Sequence, residues 1–139
     1  VSQQREKGAA VFLNLLDSDE KRAFAELAEK LIKADGLVIG REEAALAALK
    51  AEMGITDGGD GRGVEELAGV FHSWRSKVAA LLELIGLGYS DVSYSVNEQS
   101  LVHEAARKMG LTADELEEIE AWVREHVSLI RRALILMRD

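Results

Sequence analysis

Apolar residues recur along this chain at helical spacing and almost nowhere in strict alternation. Phe24, Leu27, Ala28 and Leu31 fall at i, i+3, i+4 and i+7, one face of an amphipathic helix. The preceding Asp17-Ser18-Asp19-Glu20 has the form of a capping box, so this helix is expected to open at Asp17 and run to about Ala34. An earlier helix is expected over Gln3 to Leu16. Ala45, Leu46, Leu49 and Met53 place another over Arg41 to Met53, with Gly54 where a left-handed cap belongs. Val64 to about Gly86 reads as helix with a break near Ser73. Ser95 to Glu98 is a second capping box, opening a helix to Met109 that Gly110 closes. Thr112 to Glu115 is a third, and it starts a helix that runs to the C-terminus.

That last helix carries Leu116, Ile119, Val123, Val127, Ile130, Leu134 and Met137 as an apolar stripe. Its acids, Glu115, Glu117, Glu118 and Glu120, come early, and Arg131, Arg132 and Arg138 come late, the order that complements a helix dipole. Leu129, Ile135 and Leu136 widen the stripe beyond one packing face. They suit a partner surface, including a homodimer through this helix, about as well as a two-sided core contact. Proline is absent and β-branched and aromatic clusters are scarce. The expectation is all-α: one compact bundle over residues 1–139, of about six to seven helices.

The pattern also repeats. Asp35 and Asp91, Glu42 and Glu98, Met53-Gly54 and Met109-Gly110, and Ile55-Thr56 and Leu111-Thr112 share one offset, 91 − 35 = 56, without a gap. Two pseudo-repeated halves are expected, approximately 1–56 and 64–139, joined by the glycine-rich linker 57–63, DGGDGRG.

Composition narrows the functional field. With 47% hydrophobic and 30% charged residues the chain suits a soluble globular domain. A formal net charge of −8 argues against nucleic acid as a partner and favours cations. Without cysteine there is neither disulfide nor thiolate ligand, so a metal must be held by oxygen or imidazole. The longest mainly apolar run, Val78 to Tyr89, is too short to span a bilayer and contains Glu83. A cytoplasmic location is the default expectation. The opening on Val1 rather than Met is what a processed form or a piece of a longer protein would show.

The stretch Lys33 to Glu43, KADGLVIGREE, interrupts the helical pattern with an acid on each side of a kink. Asp35 ends one helix, Gly36 permits a positive φ, and Glu42 and Glu43 fall in the first turn of the next. Carboxylates meeting at one mouth beside turn carbonyls are the donors a hard divalent cation takes. A structural reading uses the same residues: glutamates in a first turn stabilise the dipole, and Asp-Gly is a common turn pair. Spacing alone favours the structural reading.

The segment ADGLVIGREE, followed by a helix ending in MGIT, resembles the TerB-like family, the tellurite-resistance proteins and their relatives. The second half, DVSYSVNEQSLVHEAARKMGLTADELEEIEAWV, resembles it too, so the likeness runs from about Phe24 to Val123. The resemblance implies an all-helical domain of two related halves, with acidic loop positions on one surface that bind a divalent metal. It implies stress resistance and membrane-linked complexes with protein partners, hence peripheral association with the inner membrane beside the cytoplasm, and no enzymatic reaction. Matched position by position, the metal ligands it implies are Asp35, Glu42, Asp91 and Glu98, with Glu43 added on proximity. The second motif departs from the first: Val92 stands where Gly36 does, and a β-branched residue resists positive φ. One mixed site for Ca²⁺ or Mg²⁺ is expected rather than a symmetric pair.

Other chemistries lack their residues. EF-hand spacing fails from Asp35 and from Asp57, and no Glu-x-x-His pair surrounds His72, His103 or His126. The glycine-rich linker lacks the Lys-Ser/Thr of a phosphate loop, and no nucleophile elbow is present. No catalytic residue and no organic cofactor are therefore expected. Trp74 and Trp122 are expected in the core, beside apolar neighbours. Two readings remain: a non-enzymatic cation-binding module for sensing or complex assembly, and a metal-free helical module for protein interaction or oligomerisation.

Overall fold

The structure, a computed structural model, describes residues 12–34, 40–55, 61–89 and 94–138, without the side chains of 40–43 and 45. Among these residues six α-helices follow one short 3-10 turn, Leu13–Leu15: α1 Ser18–Ile32, α2 Gly40–Met53, α3 Val64–Ala68, α4 Trp74–Gly88, α5 Val96–Met109 and α6 Ala113–Leu136. No strand occurs among the described residues.

Helices α1 and α4 form the centre. Ala23, Phe24, Leu27, Ala28 and Leu31 of α1 and Ala79, Ala80, Leu81, Leu84 and Ile85 of α4 are buried, and the two helices pack on one another. Around that pair α1 also meets α2, α3 and α5, and α4 also meets α5, α6 and the 3-10 turn. Alanines among the larger side chains let the two central backbones lie close.

Local signals account for the boundaries. Asp17, Ser73, Ser95 and Thr112 each accept a hydrogen bond from the backbone N–H three residues on, and each donates its own backbone N–H to that residue's side chain, completing a capping box. At the other ends Gly54 and Gly110 adopt φ of +76° and +96°. Each closes its helix in the same way. Ile55 N–H donates to Lys50 O at 2.9 Å and Leu111 N–H to Ala106 O at 3.0 Å, the six-to-one bond of a Schellman cap.

The spacing of the elements is regular. α1 and α4 both have 15 residues and their starts differ by 74 − 18 = 56; α2 and α5 both have 14 and differ by 96 − 40 = 56.

Three sequence expectations change. The chain before Leu16 ends in a 3-10 turn rather than an α-helix, with Leu16 itself extended; its expected start at Gln3 lies outside the described residues. Trp74 and Trp122 are not core residues, being 54% and 45% exposed. Trp74 is the first residue after the Ser73 cap, where a side chain leaves the body, and Trp122 sits on the edge of the α6 stripe. The α6 stripe itself is buried only at Leu116, Ile119 and Val123. α6 has 24 residues, about 36 Å of helix, whereas α4 and α5 have 15 and 14. The long helix outruns the bundle it packs on, so Ile130, Leu134 and Met137 are exposed.

Candidate functional site

Of the acids expected to gather a cation, Asp35 and Asp91 lie outside the described residues. Glu42 and Glu43 lie on the first turn of α2, with side chains outside the description. Glu98 alone is described. It is buried at 3% exposure, its Oε1 accepts from Ser95 N–H at 2.9 Å, and its own N–H donates to Ser95 Oγ at 3.1 Å. Its observed role is the reciprocal half of the α5 capping box.

A different acidic group is drawn together at the start of α1. Asp17, Glu20 and His72 offer ligand atoms all within 4.8 Å of one another. Most of that capacity is already engaged in the fold. Glu20 Oε1 accepts from Asp17 N–H at 3.0 Å, Glu20 Oε2 from His72 N–H at 3.0 Å, and Asp17 Oδ1 from Glu20 N–H at 2.8 Å. Asp17 Oδ2 and His72 Nε2 face each other at 3.7 Å. A metal here would have to compete with three backbone donors, at the cost of the cap. The arrangement fastens the chain before α4 to the first turn of α1.

The same use of glutamate recurs through the bundle. Glu20, Glu26, Glu83, Glu98 and Glu120 are buried, and each accepts a hydrogen bond from another residue. Arg62 Nη2 donates to Glu26 Oε2 at 2.8 Å, tying the approach to α3 onto α1. Phe12 N–H donates to Glu83 Oε2 at 2.8 Å, holding the 3-10 turn against α4. Glu120 Oε2 accepts from Tyr94 Oη at 3.1 Å and lies 3.1 Å from His103 Nε2, so α6, α5 and the segment before α5 meet at one oxygen. Burial first, and then the Glu120 carboxylate, push the Tyr94 hydroxyl far above its ordinary range. It remains a donor at any ordinary pH. From the sequence Glu120 counts only among the acids early in α6 that complement the helix dipole. Its place four residues after Leu116 and three before Val123, inside the apolar stripe, was the available signal.

Among the described residues, the far part of α6 gathers most of the exposed large apolar side chains. Leu129, Ile130, Leu134, Ile135, Leu136 and Met137 are all exposed, Leu136 at 83%. Residues 126–138 hold Arg131, Arg132 and Arg138 and no acid, a basic end on an acidic protein. Trp122 stands where this surface joins the body, held edge-on by Phe12 at 5.9 Å and stacked on His126 at 5.1 Å. No helix among the described residues is long and apolar enough to cross a membrane. Comparison of the chain with protein-family models, with curated proteins and with solved structures finds no match in any of the three.

Proposed function

We propose that the protein is a non-enzymatic helical interaction module that docks through the end of α6. One observation carries this reading: the apolar stripe that packs Leu116, Ile119 and Val123 into the bundle continues past it as Ile130, Leu134 and Met137, flanked by Leu129 and Leu136. A contiguous exposed apolar face of this kind marks a surface that another molecule covers. Hydrogen exchange in dilute protein tests it. Amides of 128–137 should exchange far faster than those of 116–123, and equal protection would mean the chain covers its own face.

A second reading has its own support. The 56-residue correspondence of α1 with α4 and α2 with α5 is what duplication of one unit would produce, and it puts Asp35 and Glu42 in register with Asp91 and Glu98. On that reading the chain is a TerB-like, stress-related module in which these acids and Glu43 bind Ca²⁺ or Mg²⁺, for sensing or for assembly of a complex at the inner membrane. Millimolar Ca²⁺ should then raise the melting temperature and a chelator reverse it, because an ion that binds only the folded state stabilises it by mass action. A melting temperature indifferent to both would remove the cation from the account.

A further inference from the structure

Trp122, Leu129 and Leu136 recur every seventh residue of α6 and are exposed at 45%, 59% and 83%. Seven residues are nearly two turns, so the three side chains share one strip of helix about 21 Å long, with His126 and Ala133 filling the gaps. Resting on the interaction reading, we propose that this strip pairs with the same strip of a second copy of the chain, antiparallel, about a two-fold axis at Leu129.

The spacing is self-complementary. With Leu129 on the axis, Trp122 lies seven residues to one side and Leu136 seven to the other, so each indole meets the partner's Leu136 at both ends of the contact. The indole is braced before any partner arrives, by Phe12 on its edge and by His126 stacked within 8° of its plane. Little side-chain freedom is left to lose on docking, which suits a tryptophan anchor.

Charge selects the direction. Glu125 is four residues before the axis and Arg132 three after it, on the same flank of the strip, and neither makes an ion pair among the described residues. Antiparallel pairing sets Glu125 beside the partner's Arg132 twice, once on each side of the axis. It also sets Arg138, nine residues past the axis, level with residue 120 in the acidic first half of the partner helix. Parallel pairing would place two bodies of net charge −8 side by side at one end.

Sedimentation velocity over a concentration series, with melting curves on the same variants, tests the proposal. The intact chain should pass from monomer to dimer as concentration rises through the micromolar range, on the order expected of a small interface. Leu129→Asp places two carboxylates on the axis and should weaken the dimer at least ~30-fold, as loss of a central anchor does. Glu125→Arg should weaken it, and Glu125→Arg with Arg132→Glu should restore it. Measured where the intact chain is monomeric, Leu129→Asp should melt with the parent. A dimer untouched by Leu129→Asp, or a charge exchange that restores nothing, overturns the antiparallel pairing. A chain that stays monomeric throughout, with Leu129→Asp melting unchanged, overturns the second copy and leaves the interaction reading standing. If dilute Leu129→Asp melts several degrees low, the strip serves its own fold and both readings fall.

Discussion

Phe24→Ala is expected to remove about 3–5 kcal/mol of stability, the usual cost of emptying an aromatic site in a packed core. Phe24 has no exposed surface, and it belongs to the one buried core that α1 and α4 share as they pack on one another. The lost term combines the transfer of the ring with the cavity that α1 and α4, pinned by capping boxes at Asp17 and Ser73, cannot close by moving. Against a typical total of about 5–15 kcal/mol the variant should lie near its unfolding midpoint in warm buffer. A urea titration should show a lower midpoint at unchanged slope. A loss below ~1 kcal/mol would mean that the α1–α4 contact is not the core.

Glu83→Gln should do the opposite, and only at neutral to alkaline pH. Glu83 is 8% exposed on α4. Burial, with a smaller push from the charge of Glu52, raises its carboxyl to about 7, although the Phe12 N–H bond pulls the other way. Its ordinary value is 4.5. A carboxyl raised in the folded state contributes stability that is complete below the unfolded value and is lost as pH climbs through the folded one. The protein should therefore lose up to about 3 kcal/mol from this group between pH 4.5 and 8, at roughly 1.4 kcal/mol per pH unit of displacement. Glutamine carries no such charge and keeps an oxygen to accept from Phe12. The variant should match the parent near pH 5 and exceed it by about 1–3 kcal/mol at pH 8. A variant that is weaker at pH 8 would show that the charged carboxylate is what holds the 3-10 turn.

Much of the fold was legible in the sequence because its boundaries are set locally. Asp17-x-x-Glu20, Ser95-x-x-Glu98 and Thr112-x-x-Glu115 announce helix starts through the very hydrogen bonds that form, and Gly54 and Gly110 announce stops through a φ few other residues adopt. The tryptophans were misplaced because a local apolar neighbourhood says nothing about where a helix leaves its bundle. The reach of α6 depends on the lengths of α4 and α5 relative to its own, a tertiary quantity. The buried glutamates were hidden for the same reason: Glu83 and Glu120 find their partners 71 and 26 residues away. Of the acids proposed for the cation, Glu98 is the one whose side chain is described, and the cap that the sequence had already assigned it is the role observed. The surface at Leu129 and Leu136 was visible as excess apolar width, but its register with Trp122 was not, since that residue was expected inside.

If α6 leaves its own bundle to be covered by another molecule, hydrogen exchange along that helix at two protein concentrations measures this directly. In dilute solution amides of 116–123 should exchange only through global unfolding and those of 128–137 near the rate of a fraying helix end, with protection of 122–136 rising at high concentration. Protection of 128–137 equal to that of 116–123 at every dilution would contradict it.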